Sequence, residues 1–257
     1  MSLITSGTNS NIGLVREENQ DSYGRFPEDA SSDTTEPGIV FAVADGMGGH
    51  RGGKEASSIA IRVLRETFFG ESDDGIPDRL VRSFEAANVA VRQHGQANPE
   101  CRGMGTTLTA LVLHGDKAWI GHVGDSRAYR ITDDGIEQLT EDHSIVAEWL
   151  RKGWLTEEQA KNHPERSLLY RALGVTTDLS VDIVEAIPVG EGVTFLLCTD
   201  GLTNHVEDAE MKEVVLSRTP QEACDHLVSL ALERGGFDNV TVQAVSCTES
   251  GQTRESG

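Results

Sequence analysis

Residues 106–132 read TTLTALVLHGDKAWIGHVGDSRAYRIT, and the punctuation of this stretch decides the fold. Three apolar-rich runs, at 106–113, 116–123 and 127–132, are separated by links of two to three residues containing Gly or Asp. Links that short are expected to join antiparallel neighbours, because a parallel pair needs a crossover of a dozen or more residues. Further strands are expected at 193–199 and 240–246, the second alternating Val240, Val242 and Ala244 with polar residues. Helical spacing governs two other segments. Residues 54–69 carry Ala56, Ile59, Ala60, Val63, Leu64 and Phe68 on one face, and 78–94 carry Leu80, Phe84, Ala87 and Val91. Antiparallel strands with paired helices make an α+β layered sandwich, not a doubly wound nucleotide-binding sheet. Between the strands, residues 142–173 break the pattern and read as a mostly helical insertion containing Trp149 and Trp154.

The bulk properties narrow the class. A chain of 257 residues has ample length for a core, and with hydrophobic residues at 37% but aromatics at only 5% that core is aliphatic. Lys and Arg number 22 against 42 Asp and Glu, a net charge of −20. Such a surface repels nucleic-acid backbones and anionic membranes. Most of these carboxylates are expected to be solvated, leaving a minority free to converge on a cation. The cysteines Cys101, Cys198, Cys224 and Cys247 form no CxxC pair, which argues against a zinc knot or a disulfide framework. No basic-then-apolar leader opens the chain, and no apolar run approaches the ~20 residues of a membrane helix. A cytoplasmic protein is expected. Residues 27–37 read as an exposed loop and 248–257 as a disordered polar tail.

The glycine-rich stretch DGMGGHRGGKEAS (45–57) follows the apolar run GIVFAVA (38–44), a context that also suits a phosphate-cradling nucleotide loop. That loop requires Ser or Thr after its lysine, and Glu55 stands there, so a P-loop hydrolase is disfavoured. The aspartates carry more information. Asp-Gly occurs four times; Asp74 and Asp134 lie in polar surroundings and read as turns. Asp45 and Asp200 instead close apolar strands, IVFAVAD and VTFLLCTD, where a lone carboxylate costs several kcal/mol unless paired or ligated. Asp238 in GGFDNVTV, Asp21 in REENQD and Asp125 in HVGDSRAY occupy comparable turn or strand-end positions. Taken singly, each is an ordinary turn or cap residue. Together, five carboxylates point to a hard-cation site of oxygen ligands, suited to magnesium or manganese.

Eight motifs in order resemble the metal-dependent protein serine/threonine phosphatases of type 2C, in their bacterial form. They are REENQD (16–21), VADGMGGH (43–50), GMGTT (103–107), VGDSR (123–127), DHS (142–144), RALG (171–174), CTDGL (198–202) and GFDNVT (236–241). The resemblance implies one phosphatase domain over residues 1–247, with a flap at about 142–173. It also implies a four-layer sandwich, two antiparallel sheets packed face to face with helix pairs outside and a dimetal site at one edge. Two Mn2+ or Mg2+ ions are implied, with a third, weaker site. Asp45 would bridge both ions, the Gly46 carbonyl would ligate the second, and Asp200 and Asp238 would hold the first. Asp21 would support the second ion through water, and Asp125 would serve the third site.

The implied reaction is hydrolysis of phosphoserine or phosphothreonine in proteins, a metal-bridging hydroxide attacking phosphorus in line. Arg16 suits a two-point grip on phosphate; otherwise it is a surface arginine beside Glu17 and Glu18. His50 could protonate the leaving alkoxide, or could simply hydrogen-bond a bound water or a carboxylate. His122 and His143 read as structural. Arg51 and Lys54 depart from the family pattern by adding positive charge beside the loop. Expected partners are phosphorylated proteins, the substrates of a Ser/Thr kinase, and the kinase itself, with the phosphatase a monomer. A catalytically idle relative acting as a binding module is the alternative, disfavoured because all the metal aspartates are present.

Overall fold

The computed structural model describes residues 2–28, 36–48, 52–161 and 163–249. In chain order the elements begin β1 (Ser2–Asn11), β2 (Ser22–Phe26), β3 (Ile39–Ala44), β4 (Gly46–Met47), α1 (Gly52–Phe68) and α2 (Ile76–Ala97). They continue through β5 (Gly105–Thr106), β6 (Leu108–His114), β7 (Lys117–Val123), β8 (Arg127–Ile131), β9 (Ile136–Gln138), α3 (Ile145–Arg151) and α4 (Glu157–Lys161). The last are β10 (Asp182–Pro188), β11 (Thr194–Cys198), α5 (Asp200–Thr203), α6 (Asp208–Leu216), α7 (Pro220–Glu233) and β12 (Val240–Glu249).

Two five-stranded antiparallel sheets result, ordered β1-β12-β11-β8-β9 and β10-β7-β6-β3-β2. The α+β sandwich expected from the sequence is the observed architecture. The side-chain period of two explains how strands can be apolar on both faces. Along β3, Val40, Ala42 and Ala44 pack under α1 and α2, while Ile39, Phe41 and Val43 face the opposite sheet. Along β11, Leu196 and Cys198 pack under α6 and α7, while Phe195 and Leu197 fill the space between the sheets. Helices, sheet, sheet and helices therefore form four layers.

Three expectations differ from the structure. The runs at 116–123 and 127–132 do not pair with each other: β7 joins β6 and β10, whereas β8 lies in the other sheet between β11 and β9. The short link 124–126 turns the chain across the sandwich instead of closing a hairpin. Gly124 makes this possible with φ +117°, in a region other residues rarely adopt, and a Cβ there would come within 2.5 Å of the Thr107 side chain. The second difference is in residues 142–173, where the described residues hold only the short helices α3 and α4. Gly153 at φ +70° and Pro164 stop helical growth, and isolated bridges from Ser144 to Leu169 and from Thr106 to Leu173 close the segment at its base. The third concerns Thr248 and Glu249, expected in a polar tail but paired with β1 as the end of β12; residues 250–257, like 29–35 of the expected 27–37 loop, lie outside the described residues.

Among the described residues, no helix is long and apolar enough to cross a membrane.

Candidate active site

One edge of the sandwich collects the strand ends that the sequence singles out. β3 delivers Asp45 and Gly46, β11 leads through Thr199 into Asp200, and the 124–126 crossing presents Asp125. Asp238 lies just before β12, and Asp21 directly precedes β2. A cleft of about 990 Å³ opens here, with Arg16, Asp45, Gly46, Asp125, Asp200 and Asp238 in its walls. Asp21 sits behind this lining, 2% exposed. His50, together with Arg51, lies outside the described residues.

The groups beneath the cleft are held by hydrogen bonds that leave one oxygen of Asp21 and one of Asp200 without a partner. Asp21 Oδ2 accepts from Thr241 Oγ1 at 2.6 Å and Thr199 Oγ1 at 3.0 Å, while its Oδ1 is buried without a partner. Asp45 is pinned through its backbone: its N–H donates to Thr107 Oγ1 at 2.8 Å, and its carbonyl accepts from Thr106 Oγ1 at 2.8 Å and Thr107 N–H at 2.9 Å. Asp200 Oδ2 accepts from Asn204 Nδ2 at 3.1 Å, the Asp200 and Asp45 carboxyls meet, and Asp200 Oδ1 is buried without a donor. Gly46 passes so close to Gly53 that any Cβ would overlap the Gly53 carbonyl.

Asp238 is different, because Arg16 grips both of its oxygens, Nε to Oδ1 at 2.8 Å and Nη2 to Oδ2 at 2.6 Å. Arg16 was expected to face phosphate and Asp238 a cation; the structure pairs them with each other.

Electrostatics make this edge a place of crowded negative charge. Burial raises the Asp45 carboxyl well above its ordinary value, and the nearby Asp21, Asp200, Asp125 and Asp238 add to the effect. Asp125 is raised well above its ordinary value by burial and then by Asp200 and Asp142, and Asp200 is raised by burial and by Asp238. Burial pushes Asp21 up to about 7 even though Thr241 and Thr199 act against it. The Arg16 guanidinium is raised, chiefly by its bonds to Asp238.

The residues fit a hard divalent cation. Buried polar atoms are nearly always satisfied, and the orphaned Oδ1 atoms of Asp21 and Asp200 lack only a donor or a cation. Among the described residues, no three His, Cys, Asp or Glu side chains are gathered into a closed metal cage. An octahedral ion that keeps several waters needs only one or two direct carboxylates, so an open acidic wall suits magnesium or manganese better than zinc.

Sequence reasoning missed three supporting side chains. Thr199, between β11 and α5, and Thr241, at a polar position of β12, both hold Asp21. Asn239 laces two loops, accepting from Gln20 N–H at 2.8 Å and donating to the carbonyls of Ile12 at 2.9 Å and Glu18 at 3.0 Å. Its adjacency to Asp238 was the available signal. His122 and His143, read from the sequence as structural, are buried. His143 accepts from Gly124 N–H at 3.0 Å through Nδ1 and donates through Nε2 to Asp182 at 2.9 Å, tying the base of segment 142–173 to the link that carries Asp125.

A fold and a site of this kind define a class, and comparison with known proteins agrees with it. The profile of the Protein phosphatase 2C family matches residues 16–229. The chain belongs to the protein phosphatase 2C family of serine/threonine phosphatases. It is 40% identical over 238 residues to the serine/threonine phosphatase stp of Listeria innocua, covering 91% of this chain and 92% of that one. Among solved structures, Stp1 from Staphylococcus aureus superposes with a TM-score of 0.87 at 30% identity, covering 97% of this chain and 98% of that chain. The catalytic domain of the serine/threonine protein phosphatase PstP, solved with two manganese ions, superposes with a TM-score of 0.82 at 32% identity, covering 97% of this chain and 100% of that one.

Proposed function

We propose that this chain is a divalent-metal-dependent hydrolase of phosphoserine and phosphothreonine in proteins, reversing the action of a Ser/Thr kinase. The observation that carries the reading is the convergence of Asp45, Asp125, Asp200 and Asp238 on one cleft, with unpartnered buried oxygens on Asp21 and Asp200. Asp45, Asp200 and Asp238, with the Gly46 carbonyl, would hold two Mn2+ or Mg2+ ions; Asp21 would support them from behind, and Asp125 would serve a third, weaker site. Such ions supply Lewis-acid activation of water and offset the charge of a phosphate dianion.

The chain's own residues do the rest. Thr106 and Thr107 fix the Asp45 backbone, which positions its carboxylate through bonds that the carboxylate itself does not make. Arg16 is a planar fork already charged and oriented at the cleft mouth. Exchanging Asp238 for the oxygens of a phosphoryl group keeps its two-point geometry and gives it the stronger anion. Residues 1–247 would act as one phosphatase domain, with 142–173 as the flap beside the cleft.

The deciding experiment is manganese-dependent phosphate release from a phosphothreonine peptide, comparing wild type with Asp45→Asn and Asp238→Asn. Metal-dependent turnover that collapses in both variants is expected. A folded wild type that releases no phosphate with either metal would sink the reading and favour a non-catalytic binding module.

A further inference from the structure

The cleft has an apolar wall that the chemistry above leaves unused. Leu14, Val15 and Phe237 are 67%, 61% and 62% exposed, and Ile12 lies beside them at 37%. Val15 and Phe237 line the same cleft as Asp45 and Asp200. Single exposed hydrophobics are ordinary on a soluble protein; several gathered at the rim of a cleft, on a chain of net charge −20, are a feature of a contact surface.

Loose packing does not explain their exposure. The loops carrying them are laced together: Leu14 N–H donates to the Gly236 carbonyl at 2.8 Å, and Asn239 bonds the carbonyls of Ile12 and Glu18. The Phe237 ring is also braced, its centroid 5.5 Å from that of His205. His205 is held below its ordinary pKa, first by burial and then by Arg166 and Arg234. An aromatic ring, with only two side-chain torsions, loses little conformational entropy when something covers it.

Position identifies the occupant. Val15 and Phe237 each stand one residue before Arg16 and Asp238, which meet at 2.6 Å at the cleft mouth. An extended peptide advances about 3.3 Å per residue with side chains alternating in direction. A peptide whose phosphorylated residue reaches Arg16 therefore lays a residue one or two positions away against this wall. Glu17 and Glu18 in the same cleft disfavour an acidic neighbour there.

We propose that Val15 and Phe237 form a docking wall for an apolar or aromatic side chain one or two residues from the phosphorylated serine or threonine of a protein substrate. This rests on the phosphatase function proposed above and adds sequence preference to it.

Two phosphothreonine peptides of equal charge test the wall, one with Phe or Leu at the neighbouring positions and one with Ser. Wild type with manganese is expected to show a kcat/KM about tenfold or more higher on the apolar peptide, expressed mainly in KM. In Val15→Ser and Phe237→Ser the preference should shrink, and in the double variant the ratio should approach one. Equal kcat/KM on both peptides for wild type, or a preference that survives in the double variant, overturns the docking wall while the phosphatase reading stands. A wild type that turns over neither peptide overturns both. A dimer seen by sedimentation that the double variant disperses would assign the wall to a second copy of the chain, and would likewise overturn the proposal.

Discussion

Arg16 and Asp238 form a two-point ion pair at the mouth of the acidic cleft, Nε to Oδ1 at 2.8 Å and Nη2 to Oδ2 at 2.6 Å. The pair is partly solvated, with the arginine side chain 56% exposed, so breaking it costs little. Its exposure leaves the guanidinium able to change partners when an anion enters the cleft. Arg16→Gln is expected to lower kcat/KM on a phosphothreonine peptide by about ten- to a hundredfold, the range of a lost charged hydrogen-bond pair. Manganese affinity, read by calorimetry, should stay the same or tighten, because Asp238 loses its competitor. Weaker manganese binding together with unchanged turnover would show that Arg16 only braces Asp238.

Crowding of like charge makes metal removal a stability experiment. Asp45 is raised by burial and by four neighbouring aspartates, so the metal-free fold carries repulsion that Asp45→Asn relieves. Calorimetry in chelator is expected to give Asp45→Asn a higher Tm than wild type. Adding manganese at a hundred times its Kd should stabilise wild type by about 2.7 kcal/mol and the variant by much less. Equal metal-induced shifts in the two proteins would exclude Asp45 as a ligand.

His122 gives the fold an acid limit of its own. Burial, with His143 nearby, lowers its pKa to about 4, while the unfolded chain titrates near 6.5. The folded pKa is the depressed one, so between these values the unfolded state binds the extra proton. Stability from this site is whole above about 6.5 and declines as pH falls toward 4, by on the order of 3 kcal/mol. Urea unfolding at pH 7 and pH 4.5 should show His122→Gln losing less stability between the two than wild type does. Parallel losses would mean that His122 titrates normally.

Gly124 carries the turn that takes the chain from one sheet to the other. Its φ of +117° and its approach to Thr107 leave no room for a side chain. Gly124→Ala is expected to cost about 1–3 kcal/mol in denaturant unfolding. Because Thr107 also receives the Asp45 N–H, kcat should fall with it. A variant as stable as wild type would show that the turn relaxes freely.

Much of this molecule is legible in its residues taken in order. The apolar runs of β3 and β11, the alternation within β12 and the helical spacing in α1 and α2 are local patterns, because a side chain's direction follows from its own backbone within two or four residues. Carboxylates at the ends of apolar strands announced themselves in the same local way, and Asp45 and Asp200 needed no partner in view to look out of place. Which groups meet is another matter. The alternation in β12 does not say what its polar positions touch, and Thr241 points between the sheets and donates to Asp21, near the other end of the chain. The short link after β7 looked like a hairpin, yet it crosses the sandwich, since β8 finds its neighbours in β9 and β11. Nor does the order of residues show that Arg16 would hold Asp238, 222 positions away. The sequence by itself determined the class of fold, the acidic character of the site and most of its residues. Tertiary structure alone decided the sheet partners, the hydroxyls that hold Asp21 and the partner of Arg16, because long-range pairing depends on which faces close over one another, which no local period encodes.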